Sequence, residues 1–294
     1  MYKHIITIIL LLLPLLAMPQ SHKSNQLYKK GEKLFDAEKY EEAVPYFQKS
    51  DSLDKTQLEP TSENYYRAEL KMADCYEELA VMSYYNDKYS EAIKYQTFTI
   101  EIRKKILGDE HPEYAESLSD LGVYYNALGN TAEAIRLGTV SLEIYKNTLG
   151  KDSPKYAVSL ACLAHYQNCI GNYNEAIRLL TLAIKIFKKT VGENDVKYAI
   201  SLDNLANYNC ELGNYQEAIR LGTQAMETFK KVLGEEHPAY ARSLHNLAAS
   251  VTRCIHRRDV ILWRLYTIRR VPNRRINNHR PCLRQPNLLQ RSSP

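Results

Sequence analysis

The chain has 294 residues, 45% of them hydrophobic, and a formal net charge of +5. That apolar content supplies a continuous core and excludes a disordered chain. The charge is unevenly placed: residues 250–294 hold 11 Arg, no Lys and one acid, Asp259, contributing +10 and leaving −5 for residues 1–249. A mildly acidic body argues against nucleic acid as its partner.

In chain order, Lys3 and His4 precede an apolar run over residues 5–16, broken by Pro14 and followed by Ala17, Gln20 and Ser21. This is the layout of a secretory signal peptide, with cleavage expected after Ala17. The run is shorter than the roughly 20 apolar residues that span a bilayer. The mature chain is therefore expected to be exported, periplasmic or secreted, with no integral membrane span after signal cleavage. No Cys lies near the junction, which argues against a lipid-anchored form.

Residues 22–62 read as a divergent helix pair and linker. Residues 27–37 lead to a turn at Glu38-Lys39, and Tyr40-Glu41-Glu42-Ala43-Val44 opens a second helix. The polar stretch 50–62, holding Pro60, connects it to the next pair, in which Leu79-Ala80 keeps register with Leu121-Gly122.

From there to residue 249 the sequence repeats every 42 residues. Leu107-Gly108 recurs as Leu149-Gly150, Val191-Gly192 and Leu233-Gly234. Leu128-Gly129-Asn130 recurs as Ile170-Gly171-Asn172 and Leu212-Gly213-Asn214. Glu91-Ala92-Ile93 recurs at 133–135, 175–177 and 217–219. A fixed period in this range marks stacked supersecondary units. Leu118, Leu121, Tyr125 and Leu128 fall on one helical face. Gly129-Asn130 suits the tight turn to a second helix, and Pro112 suits a first helical position, where its missing N–H is not needed. Helices are predicted near 64–85, 90–106, 112–128, 131–148, 154–170, 173–190, 196–212 and 215–232. Small residues recur where two helices must approach: Gly122, Ala164, Ala206 and Ala248 in first helices, then Ala134, Ala176 and Ala218, and Ser141, Ala183 and Ala225, in second helices. A large side chain there would push the pair apart.

The pattern Leu118, Leu121-Gly122, Tyr125, with Leu160, Leu163-Ala164 and Leu202, Leu205-Ala206 in later units, resembles the tetratricopeptide repeat. The longer period and the Leu-Gly-x-x-His-Pro-x-Tyr-Ala-x-Ser-Leu junction are similar to kinesin light chain repeats and to many bacterial arrays. The resemblance covers about 60–249. It implies an all-α, right-handed α-solenoid of antiparallel helix pairs whose first helices line a concave face. Carried over by position, that face shows Glu116, Ser119, Val123 and Asn126, then Ala161, His165 and Asn168, then Asp203, Asn207 and Cys210. Such a surface suits a protein or an extended peptide held through side-chain amides, with no nucleic acid bound through the repeats.

Other candidate chemistry is weaker. Cys75 and Cys162 read as small core residues, and Cys169 and Cys210, at neighbouring positions of consecutive units, are a pair that an oxidising compartment would permit to bridge. His111 and His237 precede helix-starting prolines and read as loop or capping residues, since Ser153 and Asp195 replace them elsewhere. The 23 Tyr fall mostly at repeat-core positions. No nucleophile elbow, phosphate loop, paired carboxylates, cofactor motif or metal-ligand set is present in the pattern, so no catalytic activity is expected.

After Ala249 the repeat stops in mid-unit. The Arg-rich remainder, 250–294, reads either as a basic tail for nucleic acid or anionic lipid, or as the product of a reading-frame shift. The codons of 252–258 can encode Leu-Gly-Ala-Phe-Thr-Asp-Ala one base later, close to the lost Leu-Gly-Asn turn. The last repeat helix is expected to stay ordered to about Ala249, with a short helix over 261–268 and low order from 271. Two readings of the whole follow: a binding scaffold, or the regulatory half of a larger enzyme or signalling protein whose effector domain is lost.

Overall fold

The computed structural model describes residues 22–270 apart from Thr61 and Glu63. The signal-like segment and the residues from 271 onward lie outside the described residues. Within them every regular element is a helix. The first, α1, covers 22–36. It is followed by α2 (Tyr40–Gln57), α3 (Arg67–Tyr85), α4 (Tyr89–Leu107), α5 (Pro112–Ala127), α6 (Thr131–Thr148), α7 (Pro154–Cys169), α8 (Tyr173–Thr190), α9 (Val196–Glu211), α10 (Tyr215–Leu233) and α11 (Pro238–Arg270). Each helix packs chiefly on its neighbours in sequence, so the molecule is a stack of antiparallel pairs.

The turns show why the chain folds back where it does. The Asn130 N–H donates to Tyr125 O (2.8 Å) and the Gly129 N–H to Asn126 O (3.0 Å), a Schellman ending with Gly129 at φ +91°. The same bonds recur at 171–172 and 213–214. From α5 onward, first-helix starts are capped by whatever acceptor the unit supplies. His111 Nδ1 accepts from Glu113 N–H (3.2 Å), Ser153 Oγ from Tyr156 N–H (3.2 Å), Asp195 Oδ1 from Lys197 N–H (2.7 Å) and His237 Nδ1 from Ala239 N–H (3.1 Å).

The small-residue columns sit at the helix crossings, except Ala248 on α11, which is exposed. Ala134, Ala164, Ala176, Ala183, Ala218, Ala225 and Ser141 are fully buried and Ala206 nearly so. Between the columns lie Leu118, Leu160 and Leu202, with Tyr145, Phe187 and Phe229 closing each pair from the second helix. Each unit thus offers an apolar face that its successor covers, which gives the stack one continuous core over α5–α10.

One sequence expectation changes. The helix beginning at Pro238 does not stop near Ala249 but runs to Arg270. Residues 250–270 contain neither Gly nor Pro, and contacts to the previous unit hold the early part of this extension. Arg253 pairs with Glu211 (2.6 Å), and Arg257 donates to Gly213 O (3.0 Å). Cys169 and Cys210 are not bridged; Cys75, Cys162 and Cys254 are free thiols as well. Cys169 is exposed, whereas Cys210 is buried with the Arg253 guanidinium 3.6 Å from its sulfur.

Candidate functional site

The first helices α5, α7 and α9 stand side by side, and their contacts define the inner surface. Lys155 Nζ reaches Glu116 (2.8 Å), 39 residues back. Asn126 Nδ2 lies 3.5 Å from His165 Nε2 and 3.8 Å from Cys169 Sγ, residues 39 and 43 further on. A side chain of one helix therefore sits in the notch between two residues of the next, one turn apart, as ridge-and-groove packing requires.

Along this surface runs an open cavity of about 430 Å³. Tyr84 on α3 closes one end. Val123, Asn126 and Ala127 come from α5, Val158, Ala161, Cys162, His165 and Tyr166 from α7, and Lys197, Ile200, Ser201 and Asn204 from α9, with Phe187 of α8 beneath. Val158 and Ile200 are each 37% exposed, so the walls offer branched apolar side chains to a ligand. Asn126 and Asn204 add amides at the rim, the small polar complement that orients a bound chain in an apolar site.

Of the ten residues assigned to the concave face, the structure brings Val123, Asn126, Ala161 and His165 together in this cavity. The other six lie elsewhere. Glu116 sits at the edge in its ion pair with Lys155. Ser119 turns into the seam between helices, 3.0 Å from Ser141 Oγ. Asn168 and Asn207 are partly buried outside the lining. Asp203 and Cys210 are buried under α11: Ser243 Oγ (2.8 Å) and Asn246 Nδ2 (3.0 Å) donate to Asp203, which ties α9 to α11. These two residues are structural and not free for a partner.

The reason is geometric. Positions equivalent in sequence are 42 apart, but the cavity passes from 123 and 126 to 161 and 165, then to 200 and 204. It drifts about one helical turn toward the helix starts at each unit. Carrying a face over by a constant period misses Lys197, Ile200, Ser201 and Asn204. A signal for part of this was legible: Glu116 is replaced by Val158 and Ile200 in the next units, apolar residues where the first unit has a charge.

Burial sets the protonation preferences of the groups at the site. Burial, with a contribution from Asp120, pushes the Cys162 thiol up to about 11, so it stays protonated. Desolvation lowers the pKa of His165. Cys169 Sγ (3.7 Å) and Asn126 Nδ2 (3.5 Å) converge on the same ring nitrogen, Nε2, so the imidazole does not bridge them as a relay would. Asp120, beside the groove, is pushed up to about 7 by burial and by Glu77 and Glu116, against the pull of Arg103 and Lys155.

A family profile described as tetratricopeptide repeat matches residues 72–147, 156–231 and 197–253, more than half of the chain. The chain belongs to the tetratricopeptide repeat family. Among solved structures, this repeat array is similar to a variant form of a candidate kinesin light chain from Podosopora anserina with nearly identical TPR-like repeats. The identity is 28% and the TM-score 0.55, over 67% of this chain and 92% of that one. It shares its fold with apo RapI (15% identity, TM-score 0.55, 81% of this chain and 86% of that one). It shares it also with a Rap protein complexed with Competence and Sporulation Factor (14% identity, TM-score 0.51, 76% and 63%). No curated protein sequence matches significantly. As in these relatives, the tetratricopeptide pairs wind into a right-handed solenoid. No helix of the described residues is long and apolar enough to cross a membrane.

Proposed function

We propose that this tetratricopeptide array is an exported scaffold, without catalysis of its own, that holds a protein segment in extended form along α5, α7 and α9. The observation that carries the reading is the cavity itself: exposed Val158 and Ile200 walls, an amide rim, and access from one side. The family is a binding fold by habit, and a neighbour of the same fold was crystallised with Competence and Sporulation Factor. The acidic balance of residues 1–249 speaks for a protein partner over nucleic acid, and the apolar run over residues 5–16 with Ala17 speaks for export.

A cavity-filling substitution tests the groove. Ala161→Trp places an indole between Val123 and Ile200. It should leave the helical circular dichroism signal intact and abolish selection of peptides from a random display library; equal selection by both proteins would refute the reading. Export is tested by mass spectrometry of the mature N-terminus, expected just after Ala17.

A further inference from the structure

The groove is electrically lopsided. Beside its α5 end, next to the lining and not part of it, stands Asp120, one helical turn before Val123. Among the described residues its carboxylate accepts no hydrogen bond and meets no cation at ion-pair distance. The cations near it are engaged elsewhere. Arg103 on α4 forks onto Glu77 of α3 at 2.8 and 2.7 Å, and Lys155 on α7 pairs with Glu116 of α5 at 2.8 Å. Glu77 and Glu116 add negative charge around it. The hydroxyls of Tyr124 and Tyr145, which also feel these acids, are held protonated by burial. Asp120 is partly buried, and a carboxylate without a cation, set among other acids, attracts an incoming one.

The other end carries the opposite sign. Lys197 on α9 lines the cavity. In the preceding unit the matching Lys155 is neutralised by Glu116, 39 residues back. The residue 39 before Lys197 is Val158, a wall of the cavity. Among the described residues no acid lies within ion-pair distance of Lys197. Between the two charges run Val123, Val158, Ala161 and Ile200. From α5 to α9 is two steps between first helices of successive units, which pack chiefly through α6 and α8; each step is therefore at least the roughly 10 Å of packed helices, and extended chain covers the two in about six residues or slightly more.

We infer that the groove takes an extended peptide of mixed charge, with a Lys or Arg for Asp120, a large apolar side chain for the cavity and an Asp or Glu for Lys197, within about six residues. This rests on the peptide reading of the groove and adds the chemistry of the occupant. The chain's own ends do not fit: residues 1–21 and 271–294 contain no Asp or Glu, so neither supplies the side chain for Lys197. The occupant inferred is a segment of a separate protein that carries both signs.

The test uses random nonapeptides displayed on phage and selected at pH 8 on the full chain, on Ala161→Trp, and on Asp120→Asn and Lys197→Glu, each checked for folding by circular dichroism. The full chain should enrich peptides with one basic and one acidic residue flanking a large apolar one. Lys197→Glu should replace the acidic preference by a basic one. For a synthetic copy of an enriched nonapeptide, Asp120→Asn should weaken binding about tenfold. With Asp120 intact, affinity should fall from pH 8 to pH 6, because the carboxylate must be ionised to hold the cation. Enrichment of apolar peptides without a charge pattern, or a pattern indifferent to Lys197→Glu, would overturn the charge assignment and leave the groove standing. Equal enrichment by the chain and by Ala161→Trp would sink the groove reading and this inference together.

Discussion

Single residues show how far the early units depart from the regular ones. Where later turns place Gly129, Gly171 and Gly213, the first two turns place Glu38 and Asp87, both at φ 59°. The hydrogen bonds are the same: Lys39 N–H donates to Leu34 O and Lys88 N–H to Ser83 O, each at 2.9 Å. The left-handed conformation costs a side-chain-bearing residue about 1–2 kcal/mol, partly offset by the greater freedom of unfolded Gly. Glu38→Gly should therefore stabilise the protein by about 0.5–1 kcal/mol in urea denaturation; a lower midpoint would show that the Glu38 side chain contributes something the backbone does not reveal. Asp120 makes a second residue-scale prediction. Its folded pKa, about 7, lies above the unfolded value of about 3.9. The folded state therefore binds the extra proton, and its stability falls as pH rises from about 4 through about 7. Asp120→Asn removes that loss. It should raise the melting temperature at pH 8 and change it little at pH 4, and an equal shift at both would contradict the assigned cause.

At the scale of elements, sequence periodicity was a good guide to helix boundaries and a poor one to neighbours. The eight helices expected between 64 and 232 start and end within three residues of those observed. Gly, Pro and Asn mark ends through local chemistry, which sequence displays directly. The tilt between consecutive first helices is set by side-chain interlocking across units, so it was not legible, and with it went half of the groove. The course of α11 was missed for a related reason: absence of a repeat motif is not presence of a helix breaker. The small columns give a sharp check of the register. Ala206 is nearly buried, and its Cβ lies 3.8 Å from where a Cβ on Gly222 of α10 would stand. Ala206→Leu should cost about 1–3 kcal/mol by overpacking this crossing. Asn207→Leu, one residue on and partly exposed, should change stability far less in the same thermal melts. If both melt alike, the register proposed for α9 is wrong.

Across the whole molecule, packing confined to sequence neighbours makes stability nearly a sum of unit and interface contributions. Phe47 fills the first pair; it is fully buried, against Tyr28 and the backbone of Gly31, where an added Cβ would come within 2.8 Å of the ring. Phe47→Ala should cost about 3–5 kcal/mol locally. Hydrogen exchange should then quicken in α1–α3 while protection in α7–α10 stays as in the parent. Uniform loss of protection would show that the stack unfolds as one cooperative block.

The turn-by-turn drift of the cavity sets a limit on what this array can read. The lining enters α5 in its last five residues, crosses the middle of α7, and leaves α9 in its first nine. One more step would carry it off the end of the next helix. Under the proposed function, the binding track is a diagonal with two ends, and its length is fixed by the sixteen-residue first helices and not by how many units are stacked. Duplicating a unit would not lengthen the recognised segment; it would start a second, separate track beside the first. Growth of such a protein by tandem duplication would thus change how many segments it holds at once while leaving the footprint of each unaltered.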